Sequence, residues 1–230
     1  LMPTDESLWS ADRDVLSPST PVTLTWENGQ GLTFSRRISI NDDYLFTFED
    51  SVTSTLASDV TLYPYGLVRR PGTPATTGMY ILHEGPLGVF DETLKEEDYA
   101  DLRDAGANGI KVIPETAGGW VGITDKYWLA ALIPDQKAAA DTRFSDSVRA
   151  NVNHYQVDFR GAGMTLAAGA QDGVTNRLFA GAKEAQLILD YRDKLNISRF
   201  DLAIDWGWFE WLTKPIFFVL IYFTGFLGNM

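Results

Sequence analysis

The 230-residue chain has no cysteine, which removes disulfide staples, thiolate metal ligands and cysteine nucleophiles together. Histidine is nearly as scarce. His83 and His154 are the only two, and no His-x-x-x-His or His-Glu-x-x-His spacing brings two imidazoles to one metal. Positive charge is short as well: 19 Lys and Arg stand against 31 Asp and Glu, for a net charge of −12. A phosphate backbone would be repelled, which excludes nucleic acid as a partner. The same imbalance argues against broad adhesion to anionic lipid, so any membrane contact must come from local apolar surface. No charged, then apolar, then small-residue run opens the chain as a secretory leader would. After Lys214 the chain carries no charge, but only 16 residues remain, short of the roughly 20 that a bilayer-spanning helix needs.

What is present is the composition of a folded globular body, with 45% apolar and 22% charged residues, enough for one substantial core. The start at Leu1-Met2-Pro3 and the stop at Gly228-Asn229-Met230 read as cuts within a longer protein. Between Val22 and Ile133 short strands are expected. Val22, Leu24 and Trp26 alternate with threonines, Glu27-Asn28-Gly29-Gln30-Gly31 supplies a turn, and Leu32 and Phe34 resume the alternation, which is a hairpin pattern. Asn41-Asp42-Asp43 makes another turn, after which Tyr44, Phe46 and Phe48 line one face of a strand, and Val60–Tyr65 repeats the pattern.

Arg69 to Gly78 is dense in Pro and Gly and reads as a loop; Leu94 to Leu102, with four consecutive charges inside it, reads as a solvated surface segment with room for one or two helical turns. Gly118-Gly119-Trp120-Val121-Gly122-Ile123 and Tyr127 to Ile133 are continuous apolar runs around a polar turn, the pattern of strands buried on both faces. Tyr155, Val157 and Phe159 alternate before a Gly- and Ala-rich stretch from Gly161 to Gly173. Clear helical spacing is confined to Lys183–Leu195, through Ala185, Ile188, Leu189 and Arg192.

The C-terminal segment changes character. Trp206, Trp208, Phe209, Trp211, Leu212, Ile216, Phe217, Leu220 and Phe223 crowd into it, and tryptophan is enriched at membrane–water interfaces. Glu210 and Lys214 are spaced for a helical ion pair, while Pro215 removes a backbone donor and predicts a bend.

The run from Phe200 through Asp205-Trp206-Gly207 to Lys214-Pro215 and Gly228-Asn229 resembles the end of the large periplasmic domain of the bacterial YidC family and the interfacial helix that follows it. Gly118-Gly119-Trp120-Val121 through Tyr127 to Ile133-Pro134 is similar to that family's Gly-Gly-Trp strand pair. The resemblance implies a mainly β fold, an antiparallel β-supersandwich of two large sheets with short C-terminal helices. It implies a β-sandwich over residues 1–196, lacking about a hundred residues upstream. Residues 197–230 then form a helical segment ending in an amphipathic interfacial helix before a transmembrane helix. It also implies residence on the periplasmic side of the Gram-negative inner membrane, in an insertase that helps membrane proteins insert and fold, alone or with the Sec translocon. Expected partners are nascent inner-membrane proteins, Sec accessory proteins and the bilayer surface. Neither a cofactor nor a metal is expected.

The supersandwich is shared with sugar mutarotases, so a carbohydrate-binding or mutarotase-like protein is the alternative reading. That chemistry would need His83 and His154 to converge with an acid such as Asp158 or Glu184. Gly118-Gly119 lacks the helix start and the Lys-Ser/Thr pair of a phosphate loop, and close backbone approach at a strand start explains it better. Asp201 and Asp205, four apart, read as charges placed at a helix N-terminus. The expected membrane-facing residues are Trp206, Trp208, Phe209, Trp211, Leu212, Pro215, Ile216, Phe217, Leu220 and Phe223.

Overall fold

The structure is a computed structural model that describes residues 2–76, 82–105, 109–207 and 209–227, without the side chains of residues 111–116, 210 and 224–227. Antiparallel strands dominate it. β1 (Ser10–Ala11), β2 (Val22–Glu27), β3 (Leu32–Ile40) and β4 (Leu45–Ser54) are followed by β5 (Val60–Leu62), β6 (Tyr65–Pro71), β7 (Gly85–Phe90) and β8 (Thr93–Glu96). Helix α1 (Tyr99–Asp104) leads to β9 (Lys111–Ala117), β10 (Trp120–Thr124), β11 (Trp128–Ile133), β12 (Ala139–Arg149), β13 (Val152–Gly161), β14 (Met164–Leu166) and β15 (Gln171–Ala182). Helix α2 (Ala185–Leu195), a 3-10 helix (Phe200–Ala203) and helix α3 (Glu210–Leu227) close the chain.

Nine strands form one sheet in the order β1-β2-β3-β4-β15-β11-β10-β7-β8, four form a second in the order β6-β13-β12-β9, and β5 pairs with β14. The first hairpin forms as its turn residues dictate. The Asn28 side-chain oxygen accepts from the backbone N–H groups of Gln30 (2.8 Å) and Leu32 (3.0 Å), and Gly31 adopts φ +97°, a conformation that disfavours side chains.

β10 and β11 are buried on both faces, as their unbroken apolar runs predict. Trp120, Leu129, Ala131 and Ile133 join Leu87, Val89 and Phe179 in a core capped by Ile188, Tyr191, Ile197, Phe200 and Ala203 of the helical segment. Val121, Ile123 and Leu132 point the other way, into a core closed by Phe144, Tyr155, Val157 and Phe159 of the four-stranded sheet. The large sheet is thus the middle of three layers, with helices on one face and the small sheet on the other. Ile197, Phe200 and Ala203 belong to the same core as the strands.

Gly119 makes the junction possible. It has φ +90°, and a Cβ there would lie 2.1 Å from the Val89 carbonyl oxygen on the neighbouring strand. Gln136 then ties the strand start to the helices: its side chain accepts from Gly119 N–H and Ser198 N–H at 3.1 Å each and donates to the Gly119 carbonyl at 2.8 Å.

Three expectations need correcting. The Pro- and Gly-rich run from Arg69 is strand as far as Pro71, because β13 pairs with it through His154, and a proline at the end of an edge strand forfeits no ladder bond. Gly78 lies outside the described residues. The charged segment from Leu94 keeps Lys95, Glu96 and Asp98 in solvent and turns helical at α1, as expected, but it also holds an edge strand, and Tyr99 and Leu102 of α1 are buried in the inter-sheet core. Tyr44 is not a strand residue: it sits in the turn at φ 65°, and the strand starts at Leu45.

Tyr99 makes this burial measurable. Its ring lies 4.5 Å from that of Tyr155, and desolvation, opposed by the neighbouring Arg70 guanidinium, pushes its hydroxyl pKa up to about 12 from 10.0. A raised pKa means that the folded state holds the proton more tightly. The resulting stabilisation is complete below about pH 10 and is lost as pH climbs towards about 12. Urea midpoints across that window should fall for the native chain and fall less for Tyr99→Phe, the residual loss coming from Tyr65 and Tyr191, which shift in the same direction. An identical pH profile for Tyr99→Phe would contradict this assignment.

Candidate functional site

The segment that joins the body to α3 is built from two reversals. Asn196 caps α2 in the left-handed conformation, and Arg199 repeats it before the 3-10 helix. These turns drive Ile197 and Phe200 into the core and leave Asp201 beneath the start of α3. Asp201 is 5% exposed and faces three cations: Lys214 Nζ at 3.3 Å, Arg192 Nη1 at 3.6 Å and Arg199 Nε at 3.8 Å. It lies in the first turn of the 3-10 helix, yet its neighbours are side-chain cations drawn from three elements. Asp205 has a different task, since its carboxylate accepts from Gly207 N–H at 2.8 Å and shapes the turn into α3.

The first turns of α3 fold back on this segment. Thr213 donates to the Trp206 carbonyl at 2.8 Å, Lys214 sits over the Trp206 ring at 5.7 Å, and Phe217 meets Trp206 edge to face at 5.2 Å. Lys214 therefore reaches towards the domain body. The helix continues through Pro215, within its second turn.

Of the residues expected to face a membrane, Trp206 and Phe217 are half-buried against one another, and Trp208 lies outside the described residues, as does the Gly228-Asn229 pair. Phe209, Trp211, Leu212, Pro215, Ile216, Leu220 and Phe223 are exposed, Trp211 to 74%. Leu212, Ile216, Val219, Leu220 and Phe223 follow three- and four-residue steps and so make an apolar stripe along the helix. Among the described residues, no helix is long and apolar enough to cross a membrane.

A cleft of about 830 Å³ lies between α1, the end of β8 and the Asp205–Gly207 turn. Tyr99, His83, Asp205 and Trp206 line it together with Lys183, whose ammonium donates to Thr124 Oγ1 at 2.9 Å. Burial holds the Lys183 pKa below the usual lysine value, against the pull of Asp205 and Asp125. Sequence reasoning missed Lys183 and the cation cluster, because their partners come from distant parts of the chain.

The mutarotase-like set does not assemble. His83 is in this cleft, hydrogen-bonded to the Pro86 carbonyl at 3.1 Å, but His154, Asp158 and Glu184 are not among its lining residues. Asp158 is held by Arg143 at 2.9 and 3.3 Å on the four-stranded sheet. A second groove, of about 840 Å³ on the open face of the large sheet, is lined by residues such as Arg37, Glu49, Asp135 and Arg177, with no histidine among those described.

Comparison with known proteins agrees with this architecture. In fold, the chain is similar to a galactose mutarotase related enzyme from Lactobacillus acidophilus, with a TM-score of 0.53, 9% identity, and coverage of 76% of this chain and 73% of that one. That degree of likeness establishes the sandwich fold alone. In sequence, the chain is 47% identical over 99% of its length to the membrane protein insertase YidC of Methylobacterium radiotolerans, and 38% identical over 99% to that of Rickettsia akari. It spans 38% and 40% of those two proteins' own lengths. Residues 1–219 match the family described as the YidC periplasmic domain, and the chain therefore belongs to that family.

Proposed function

We propose that this domain is the non-catalytic periplasmic part of an inner-membrane insertase, supporting the insertion and folding of membrane proteins, and that α3 lies along the outer leaflet of the bilayer. The observation that carries the reading is the exposed apolar stripe of α3, continuous with a base latched to the β body. Side chains of this size and number are unfavourable in water, and burying them at roughly 25 cal/mol per Å² outweighs weak repulsion between an acidic domain and anionic lipid. Support for a role without turnover comes from the histidines: His83 shares its cleft with neither His154 nor Asp158 nor Glu184, the set that mutarotase-like proton transfer would need. Nascent inner-membrane proteins and Sec accessory proteins are the partners such a role implies.

Flotation with vesicles of phosphatidylethanolamine and a minority of phosphatidylglycerol tests the helix. The native chain should float. The triple variant Trp211→Asp, Ile216→Asp, Phe223→Asp should lose more than about tenfold in partitioning while melting at the native temperature, because all three positions are exposed. Undiminished flotation, or loss of the folded β body, would show that the stripe is not a membrane surface.

A further inference from the structure

A second aromatic point projects from the same end of the domain. Strands β10 and β11 are joined by a tight turn, closed by Asp125 N–H donating to the Trp128 carbonyl at 2.8 Å. At its tip Tyr127 is 64% and Trp128 58% exposed, in a strand pair whose other apolar side chains are mostly buried. Lys126 lies over the Tyr127 ring at 4.9 Å. Beside Trp128 is a shallow recess of about 350 Å³ walled in part by Val68, Ile123, Leu129 and Ala130.

The location of this tip is set by Lys183. Its backbone N–H donates to the Tyr127 carbonyl at 2.9 Å, its ammonium donates to Thr124 in the same hairpin, and it shares the cleft wall with Asp205, Trp206 and Gly207 at the base of α3. The turn and the helix base thus flank one side chain. Strand register puts the β7–β8 turn, Asp91-Glu92, at the far end of the same sheet, since Gly85 pairs with Thr124 and Val89 with Trp120.

We infer that Tyr127 and Trp128 form a second lipid contact, entering the headgroup region of the bilayer on which α3 lies, so that the domain is held at two points. This inference rests on the reading of α3 as an interfacial helix. Tyrosine and tryptophan favour that depth because they present an apolar body and a polar edge. Lys126, whose ammonium lies over the tyrosine ring, can extend its charge to the lipid phosphates. Exposed aromatics backed by a rigid, doubly buried strand pair lose little conformational freedom on docking.

The absence of native cysteine allows one reporter thiol at a time. Tyr127→Cys, Tyr222→Cys on α3 and Glu92→Cys at the far turn would each carry an environment-sensitive fluorophore, mixed with vesicles of the composition above. The labels at 127 and 222 should shift to the blue and be quenched by spin-labelled lipid, with the label at 92 unchanged. A response at 222 but not at 127 overturns this inference and leaves the α3 reading intact. No response at either position overturns both, and an equal response at 92 shows non-specific adhesion and overturns the second contact. The unlabelled pair Tyr127→Ser, Trp128→Ser should bind vesicles about tenfold more weakly with an unchanged melting temperature; native affinity in that variant also overturns it.

Discussion

Trp120→Ala should destabilise the domain by about 3–5 kcal/mol, lowering the melting temperature by on the order of 10 °C for a chain of this size. Trp120 is 2% exposed and sits where β10 meets the helical layer, with the Phe200 ring edge to face at 5.4 Å. Phe200 in turn packs on Phe179 of β15 at 5.8 Å. Truncation leaves a void that the surrounding sheet cannot collapse to fill, because its strands are held by partners on both sides. Phe200→Ala should be costly for the same reason, and the double variant should cost less than the sum by roughly 0.5–1.5 kcal/mol, the direct ring–ring contribution. Calorimetry of the four proteins measures this. Strict additivity would mean that the two rings act independently and that the helical layer is not coupled to the sheet through them.

Asp201→Ala should release α3 from the body and cost about 1–3 kcal/mol of global stability. Removing one member of a buried ion cluster leaves its partners uncompensated, but the three cations here keep a quarter to nearly half of their side-chain surface in solvent, and solvent screening reduces the loss. Hydrogen exchange should quicken in the first turns of α3 while the amides of β10 and β11 keep their protection. Lys214→Ala distinguishes the latch from general electrostatics: Arg192 and Arg199 still face Asp201, so α3 should loosen with little change in melting temperature. If Asp201→Ala leaves exchange in α3 unaltered, the carboxylate serves the body alone and the helix is held by the Trp206–Phe217 contact.

The parts of this fold that were legible in the sequence are those whose partners are adjacent in the chain. The β2–β3 hairpin could be read from Asn28 and its glycines, because turn chemistry is local. The burial of β10 and β11 could be read from unbroken apolar runs, and α2 from three- and four-residue steps. β15 escaped notice although it lies in the middle of the nine-stranded sheet. Its first half, Gln171 to Arg177, is polar and carries Gly173, since there one face of the strand borders the open groove with Thr175 and Arg177. Its central position follows from pairing with β4 and β11, more than a hundred and about fifty positions away, and no local pattern records that. The same holds for the candidate site. The apolar stripe of α3 was visible as composition, whereas the cations around Asp201 come together only through two left-handed turns whose residues, Asn196 and Arg199, carry no strong signal.

The place of β15 also has a consequence in time. A polypeptide leaving a ribosome or a translocation pore presents β1 to β4 early and β7 to β13 later, yet neither group can join the other until residues 171–182 arrive to pair with both. Until then β4 and β11 each show an unpaired edge, and the long sequence separation makes closure slow. The strand that ends the wait is followed at once by α2, the 3-10 helix and the base of α3. Completion of the β body and delivery of the base of α3 are therefore one late event, and a chain stalled before Gln171 would be an open-edged, aggregation-prone intermediate.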